Sequence, residues 1–448
     1  MRTINEIVGD IEKVEDTKKE LEKELNDVLR SNEKKEERSN ISMVGNVGEW
    51  SEIYVFYRVM ETGKIKPASY DENGVLTEVK DAFLPVLKIL REDEGFPIEY
   101  FTSNDLNGVK ALKIYYGNRN EPLLSCSLED FANKADKLLD ILKSDNESKG
   151  KKGAVQGTGK DGKPSWRSFG IPEQKEFLNN IFITKLKSPA TEVSKVFGGI
   201  TDITMEILQN DNMRVPVAFS IKSGVKSLPA LFNYSDGSNV VYELDGCDEE
   251  TFKELCSINK ETSKQYAVDR VRAIRKNKKI TVRFDHFLGE TFERNLRLVA
   301  DRTNEVLAYA VLYSLDEPFE GERSNRKLKN VYRSLVTYDP LKIGAGSELY
   351  YEKRLKDFLI AKAGGMEIKS EWDGNIAISG GYIFVTKKGD VLAFYASDQN
   401  KYKEWLLNTT KFDTPSSSSG KSTGFADVYK ENGKYFLKLN VLIKFLEN

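Results

Sequence analysis

At 448 residues, with 39% hydrophobic and 10% aromatic side chains, the chain has material for more than one packed core and is not broadly disordered. Its 68 basic and 70 acidic side chains leave a formal net charge of -2, so any surface for a polyanion has to be local rather than global. Cys126, Cys247 and Cys256 cannot all pair and show no CxxC spacing, which argues against structural zinc and for a reducing cytoplasm.

The start, MRTINEIVGDIEK, lacks a continuous apolar core, so no signal peptide is expected. Residues 1–40 read as one charged helix. Ile4, Ile7, Ile11, Val14, Leu21, Leu25 and Val28 follow steps of three and four, a heptad seam that suits a coiled coil or an arm packed on its own domain. The next segment, 41–143, reads as helical: Glu49 to Met60 as a buried helix, then Ala82 to Leu90 and Phe131 to Leu142 as amphipathic ones. Residues 144–170 are rich in Gly, Lys and Ser and read as a flexible loop.

The segment 171–300 opens with a helix near Glu173 to Ile181 and continues in strands at 201–208, 215–223, 239–244 and 279–284. In 301–448, Phe292 to Leu315 (which begins just before it) and Glu352 to Ala361 read as helices. Strands follow at 380–385 and 390–396, and ENGK at 431–434 marks a hairpin turn. Val306 to Leu315 is the most apolar stretch and is too short for a bilayer, which needs ~20 residues. The order implies an α/β or α+β fold, a mixed sheet flanked by helices, with an N-terminal helical arm and a β-rich C-terminal region.

The chemistry is narrowed by the single histidine. His286 alone cannot supply HExxH or an imidazole metal cage, and RFDHF carries no nucleophile signature. Hydrolytic chemistry would fall to carboxylates and lysine, and oxygen-only ligands favour Mg²⁺ or Mn²⁺. TDITMEIL and VPVAFSIKS both alternate, with Asp202, Thr204 and Glu206 on one face of the first and Ala218, Ser220 and Lys222 on one face of the second. A turn centred near Asp211 sets Asp202 opposite Ser220, ~5 Å away, with Lys222 diagonal to it at ~7–8 Å. Glu206 then lies some ~13 Å nearer the turn and cannot share a metal with Asp202.

Three blocks in this order, GNVGEWSEIYVFYRV (45–59), the TDITMEI to VVYEL region (201–244) and NTTKF to VLIKF (408–445), resemble the HpaII-type restriction endonuclease family, itself similar to PD-(D/E)XK nucleases. The resemblance covers roughly residues 44–445. It implies a type II site-specific deoxyribonuclease that cuts double-stranded DNA at a short sequence of the CCGG kind, with Mg²⁺ as cofactor and Mn²⁺ able to substitute. By carry-over Asp202 is a metal ligand and Lys222 the catalytic lysine. In domain terms, 41–143 becomes the helical part of a nuclease region, 171–300 the catalytic core and 301–448 the recognition region.

The chain departs from the family pattern at Ser220, where a second acid is usual, so another carboxylate has to be recruited. Glu49 and Glu52, three apart on the early helix, come first; Glu243, on a strand that could neighbour that of Lys222, is second; Asp236 is third. For DNA contacts the basic runs offer Arg272, Arg275, Lys278 and Lys279, and Arg326 and Lys327, with Asn233 as a polar reader. Gly380, Gly381 and Tyr382, with the 411–424 turn, are candidates for the recognition side. Expected partners are double-stranded DNA, a second copy of the chain and a cognate DNA methyltransferase. Two alternatives stay open: a repair or structure-specific nuclease, and a non-cleaving DNA-binding protein with a degenerate nuclease core.

Overall fold

In a computed structural model of the chain the described residues are 43–93, 96–102, 111–116, 124–144, 153–159, 162–188, 191, 201–209, 213–319, 324–376, 378–396, 398–415 and 424–446. The heptad arm lies outside them. The first half runs β1 (Val44–Gly45), α1 (Val47–Thr62), β2 (Lys64–Tyr70), β3 (Leu76–Glu78), β4 (Leu84–Asp93), β5 (Phe96–Phe101), β6 (Ala111–Tyr116), β7 (Leu124–Ser127), α2 (Leu128–Lys143), β8 (Val155–Thr158), β9 (Pro164–Gly170) and α3 (Pro172–Asn180). Then come β10 (Ile203–Leu208), β11 (Arg214–Ser223), β12 (Ala230–Phe232), β13 (Asn239–Asp245), α4 (Glu249–Ser257), α5 (Tyr266–Lys276), β14 (Thr281–Phe287), α6 (Glu290–Val299) and α7 (Thr303–Tyr313). The last part is α8 (Leu328–Tyr338), α9 (Ser347–Ala363), β15 (Gly381–Val385), β16 (Val391–Tyr395), α10 (Gln399–Thr409), β17 (Thr410–Phe412), β18 (Val428–Glu431), β19 (Lys434–Asn440) and β20 (Ile443–Phe445).

This is a mixed α/β arrangement. The main sheet has the order β3-β2-β16-β15-β11-β10-β4-β5-β6-β7, and a β2–β4 pairing closes six of these strands into a barrel-like ring. β10 and β11 form the expected antiparallel hairpin, with Ile203 opposite Phe219 and Thr204 opposite Ala218. β15 joins β11 in parallel, pairing Ser220 with Tyr382 and Lys222 with Phe384. The approach of β15 demands glycine: at Gly381, with φ +105°, an added Cβ would lie 2.3 Å from the Phe394 carbonyl oxygen.

Several elements differ from the sequence reading: the segment 41–143, expected as helical, also carries β2 to β7, and Phe292 to Leu315, expected as one helix, is divided into α6 and α7. Ala82 to Leu90, expected as a helix, is mostly β4, which pairs with both β10 and β5. Its apolar residues fit either period, and Pro85 is disfavoured inside a helix but tolerated near a strand start. The Gly/Lys-rich segment expected as a loop contains the β8–β9 hairpin. The C-terminal region carries the helix expected at Glu352 to Ala361, within α9, and more helix than expected in α8 and α10. Among the described residues no helix is long and apolar enough to cross a membrane.

Two apolar cores flank the ring. One gathers α1, α2 and α3 with β10 and the inward residues Val217, Phe219 and Ile221 of β11; the other gathers α5 to α10 with β13 and β19. β15 serves both, sending Ile383 and Val385 into the first and Tyr382 and Phe384 into the second. α1 is buried on nearly every side, from Trp50 through Met60, and a helix so enclosed can present polar side chains only where another element leaves room. Its start is set by a capping box, in which the Asn46 side chain accepts from the Glu49 amide and Glu49 Oε2 accepts from the Asn46 amide.

Candidate active site

The α1 helix meets the end of β11 at Ser51, whose hydroxyl donates to the Val47 carbonyl while its oxygen lies 2.8 Å from Ser223 Oγ. That contact aims the next residue, Glu52, at the open end of the β10–β11 hairpin. Glu52 is only 9% exposed, and its Oε2 is buried with no hydrogen-bond partner. Burial is the main reason its pKa is raised to about 8, with the Asp202 charge adding to the rise and Arg91 and Lys187 opposing it. An acid buried without a partner costs stability unless something else satisfies it.

Asp202 stands at the mouth of the hairpin. Its Oδ2 accepts from Ser220 Oγ at 3.0 Å and from the Ile221 amide at 2.7 Å, and its own amide donates to the Phe219 carbonyl. Ser220, which departs from the usual acid, therefore orients the carboxylate it faces. Lys222 follows on the same face. Its pKa is lowered by burial, against the pull of Asp202 and Glu52. The Lys222 ammonium lies 5.1 Å from the centre of the Tyr382 ring. Lys362 of α9 is also close enough for the Lys222 charge to lower its pKa, after the larger effect of burial. Two carboxylates, a hydroxyl and a lysine thus converge from α1, the residue before β10, and β11.

The other candidates lie elsewhere. Glu49 is engaged in the helix cap, although its charge contributes to the rise at Glu52. Glu243 sits on β13, in a different sheet from Lys222, and pairs with Lys434 at 3.0 Å. The neighbours of β11 are β10 and β15, so Glu243 does not stand next to Lys222. Asp236 is exposed on a short turn. Glu206 faces Lys88 and Arg214, away from Asp202 as the spacing requires.

Of the basic residues, Arg272 lies against Glu317, Arg275 pairs with Asp316 between the rings of Tyr313 and Tyr338, and Arg326 pairs with Asp413. Lys327 donates to the Asn73 carbonyl, whereas Lys278, Lys279 and Asn233 are exposed. Tyr382, which sequence reasoning set on the recognition side, is the residue this geometry moves to the centre. Its signal was the Gly-Gly pair before it, which marks a close backbone approach.

Among the described residues no group of three or more His, Cys, Asp and Glu is gathered to hold a metal ion. Asp202 and Glu52 are two. A magnesium ion commonly takes one or two protein carboxylates and keeps water in its remaining positions, and the unpartnered Glu52 Oε2 is an oxygen such an ion would satisfy.

A model of the HpaII restriction endonuclease family matches residues 46–157 and 160–445. The type II restriction enzyme HpaII of Haemophilus parainfluenzae is 26% identical over 406 residues, covering 90% of this chain and 98% of that protein. No solved structure matches the chain. Restriction enzymes of this kind generally use divalent metals. The family match spans nearly all of the sequence beyond the N-terminal arm, and the chain belongs to the HpaII restriction endonuclease family as a site-specific deoxyribonuclease.

Proposed function

We propose that the protein is a type II restriction enzyme, acting in the cytoplasm, that hydrolyses double-stranded DNA at a short CCGG-like sequence with Asp202, Glu52 and Lys222 as its active centre. The observation that carries this reading is the buried, unpartnered Glu52 carboxylate beside Asp202 and Lys222. Glu52 takes the place of the acid missing at Ser220, which gives a PD-(D/E)XK-like set with its second carboxylate drawn from a helix. Asp202 and Glu52 would hold Mg²⁺, or Mn²⁺ in its place, which would supply Lewis acidity towards the phosphoryl oxygens. Ser220 and the Ile221 amide fix the Asp202 carboxylate, and Lys222 would present a cation to the reacting phosphate.

Lys278, Lys279 and Asn233 are the proposed DNA contacts outside the centre. A palindromic target suits a two-fold pair of chains, and a companion methyltransferase would protect the host's own copies of the site. Purified protein incubated with plasmid and phage DNA in Mg²⁺ should give discrete, reproducible fragments. A smear or a preference for branched DNA would favour a structure-specific nuclease, and gel shifts without cutting would favour a non-cleaving binder.

The raised Glu52 pKa sets a stability expectation. Its folded value of about 8 exceeds the ordinary 4.5, so its contribution is intact below pH 4.5 and is lost as pH rises towards 8. In metal-free buffer at pH 8, Glu52→Gln should therefore be more stable than the native protein, by on the order of 4 kcal/mol. The difference should fade near pH 4. Millimolar Mg²⁺ should raise the Tm of the native protein more than that of the variant. Equal Tm values at pH 8, or equal stabilisation of both proteins by Mg²⁺, would remove Glu52 from the centre.

A further inference from the structure

A lysine at the end of a strand has four rotatable side-chain bonds, and an active site gains from it only if its ammonium is held in place. Lys222 takes part in no hydrogen bond or ion pair among the described residues, yet its ammonium lies 5.1 Å from the centre of the Tyr382 ring. That is within the ~6 Å over which a ring face attracts a cation. β15 brings Tyr382 opposite Ser220, one strand over and diagonal to Lys222. The ring is 5% exposed and is packed by Phe445 at 5.4 Å, Tyr402 at 6.2 Å and Trp405 at 6.3 Å between centroids. Those partners belong to α10 and β20, so the second core, not the hairpin, determines where the ring stands.

We propose that Tyr382 is a positioning residue for DNA cleavage: the face of its ring, backed by the aromatic cluster of the C-terminal region, holds the Lys222 ammonium in the space shared with Asp202 and Glu52. The proposal rests on the assignment of Lys222 to the active centre. The hydroxyl is not required by this role, because the attraction comes from the ring's π face. A residue that only fills the core would be valued for volume, and any apolar side chain of similar size would serve at temperatures where the protein stays folded.

The test measures cleavage of a defined DNA duplex in Mg²⁺ by the full-length protein, well below the melting temperature of each variant. Tyr382→Leu should lower kcat about ten- to thirtyfold with KM for DNA unchanged, and Tyr382→Phe should restore the rate to within about twofold. A Leu variant as fast as the native protein, or a Phe variant as slow as Leu, overturns the proposal. Protein labelled with ¹³C at lysine Cε gives a second readout that does not need the Leu variant to fold. The Lys222 resonance, identified by its loss in Lys222→Ala, should show an upfield ring-current shift in the native protein and in Tyr382→Phe. Its absence overturns the proposal. If Lys222→Ala still cuts DNA at the native rate, the active-centre assignment itself fails. If Lys222→Ala is inert while Tyr382→Leu is fast, only the role of Tyr382 fails.

Discussion

Lys222→Ala is expected to lower the rate of DNA cleavage by at least about a thousandfold while leaving DNA binding, measured with Mg²⁺ withheld, within about threefold. The two effects separate because of where the lysine sits. Its ammonium is largely buried, which lowers its pKa, while Asp202 and Glu52 keep it from falling further. A cation in that setting is poorly hydrated and strongly felt by a phosphate brought up to it. It is one contact among many for the DNA as a whole, so its loss removes little affinity. Lys222→Arg should not restore activity, since a longer guanidinium that spreads its charge over a planar fork would not return a compact ammonium to the same point. Single-turnover cleavage and a filter-binding isotherm decide both points. Native-like cleavage by Lys222→Ala would remove this residue from the reaction.

Asp202→Asn should also abolish cleavage, again by at least about a thousandfold, but without unfolding the protein. Asparagine has the shape of aspartate, and its amide oxygen can still accept from Ser220 Oγ and the Ile221 amide, the two donors that hold Oδ2. What is lost is the negative charge. The same variant should therefore show a smaller rise in Tm on adding Mg²⁺ than the native protein, which gives a readout independent of turnover. Glu206→Gln is the matched control on the same strand. Its partners Lys88 and Arg214 lie partly in solvent, where an ion pair contributes ~0–1 kcal/mol, and cleavage should be retained. Loss of cleavage in Glu206→Gln with Asp202→Asn active would reverse the assignment along β10.

Glu52 stands apart from Asp202 in sign. Asp202→Asn should cost activity with the fold kept, whereas removing the Glu52 charge should cost activity and raise stability at pH 8. A buried carboxylate oxygen without a hydrogen-bond partner is unfavourable for the fold. Its retention beside Asp202 makes sense if a cation satisfies it during function.

The hairpin of Asp202 and Lys222 was legible in the sequence because it is a local structure. Two alternating runs joined by a short polar turn fix the pairing by period and turn length alone, and the observed register of Ile203 with Phe219 follows. The α1 helix was legible for the same reason, from its apolar run, although the Asn46 cap that sets its start came only with the structure. The Ser220 departure was visible too, as a charge that had to come from elsewhere.

The early helix was the first choice for its source, but which of its two acids was not visible. Glu49 and Glu52 are neighbours on one helix, and only the seating of α1 on β11, through Ser51 and Ser223, brings Glu52 within reach of the Asp202 charge and leaves Glu49 in the cap. Likewise Ala82 to Leu90 reads as a helix in isolation and becomes a strand because β5 and β10 offer it hydrogen bonds on both sides. Glu243 has the alternation of a core strand, but strand order, which sequence patterning leaves undetermined, puts it in another sheet. Tyr382 is the extreme case: a parallel pairing between β11 and β15 joins segments far apart in sequence. Sequence by itself determined which residues share a strand face and what chemistry they can do. The tertiary structure decided which of several acids and aromatics meet them, because those meetings depend on packing between elements whose spacing along the chain carries no information about distance in space.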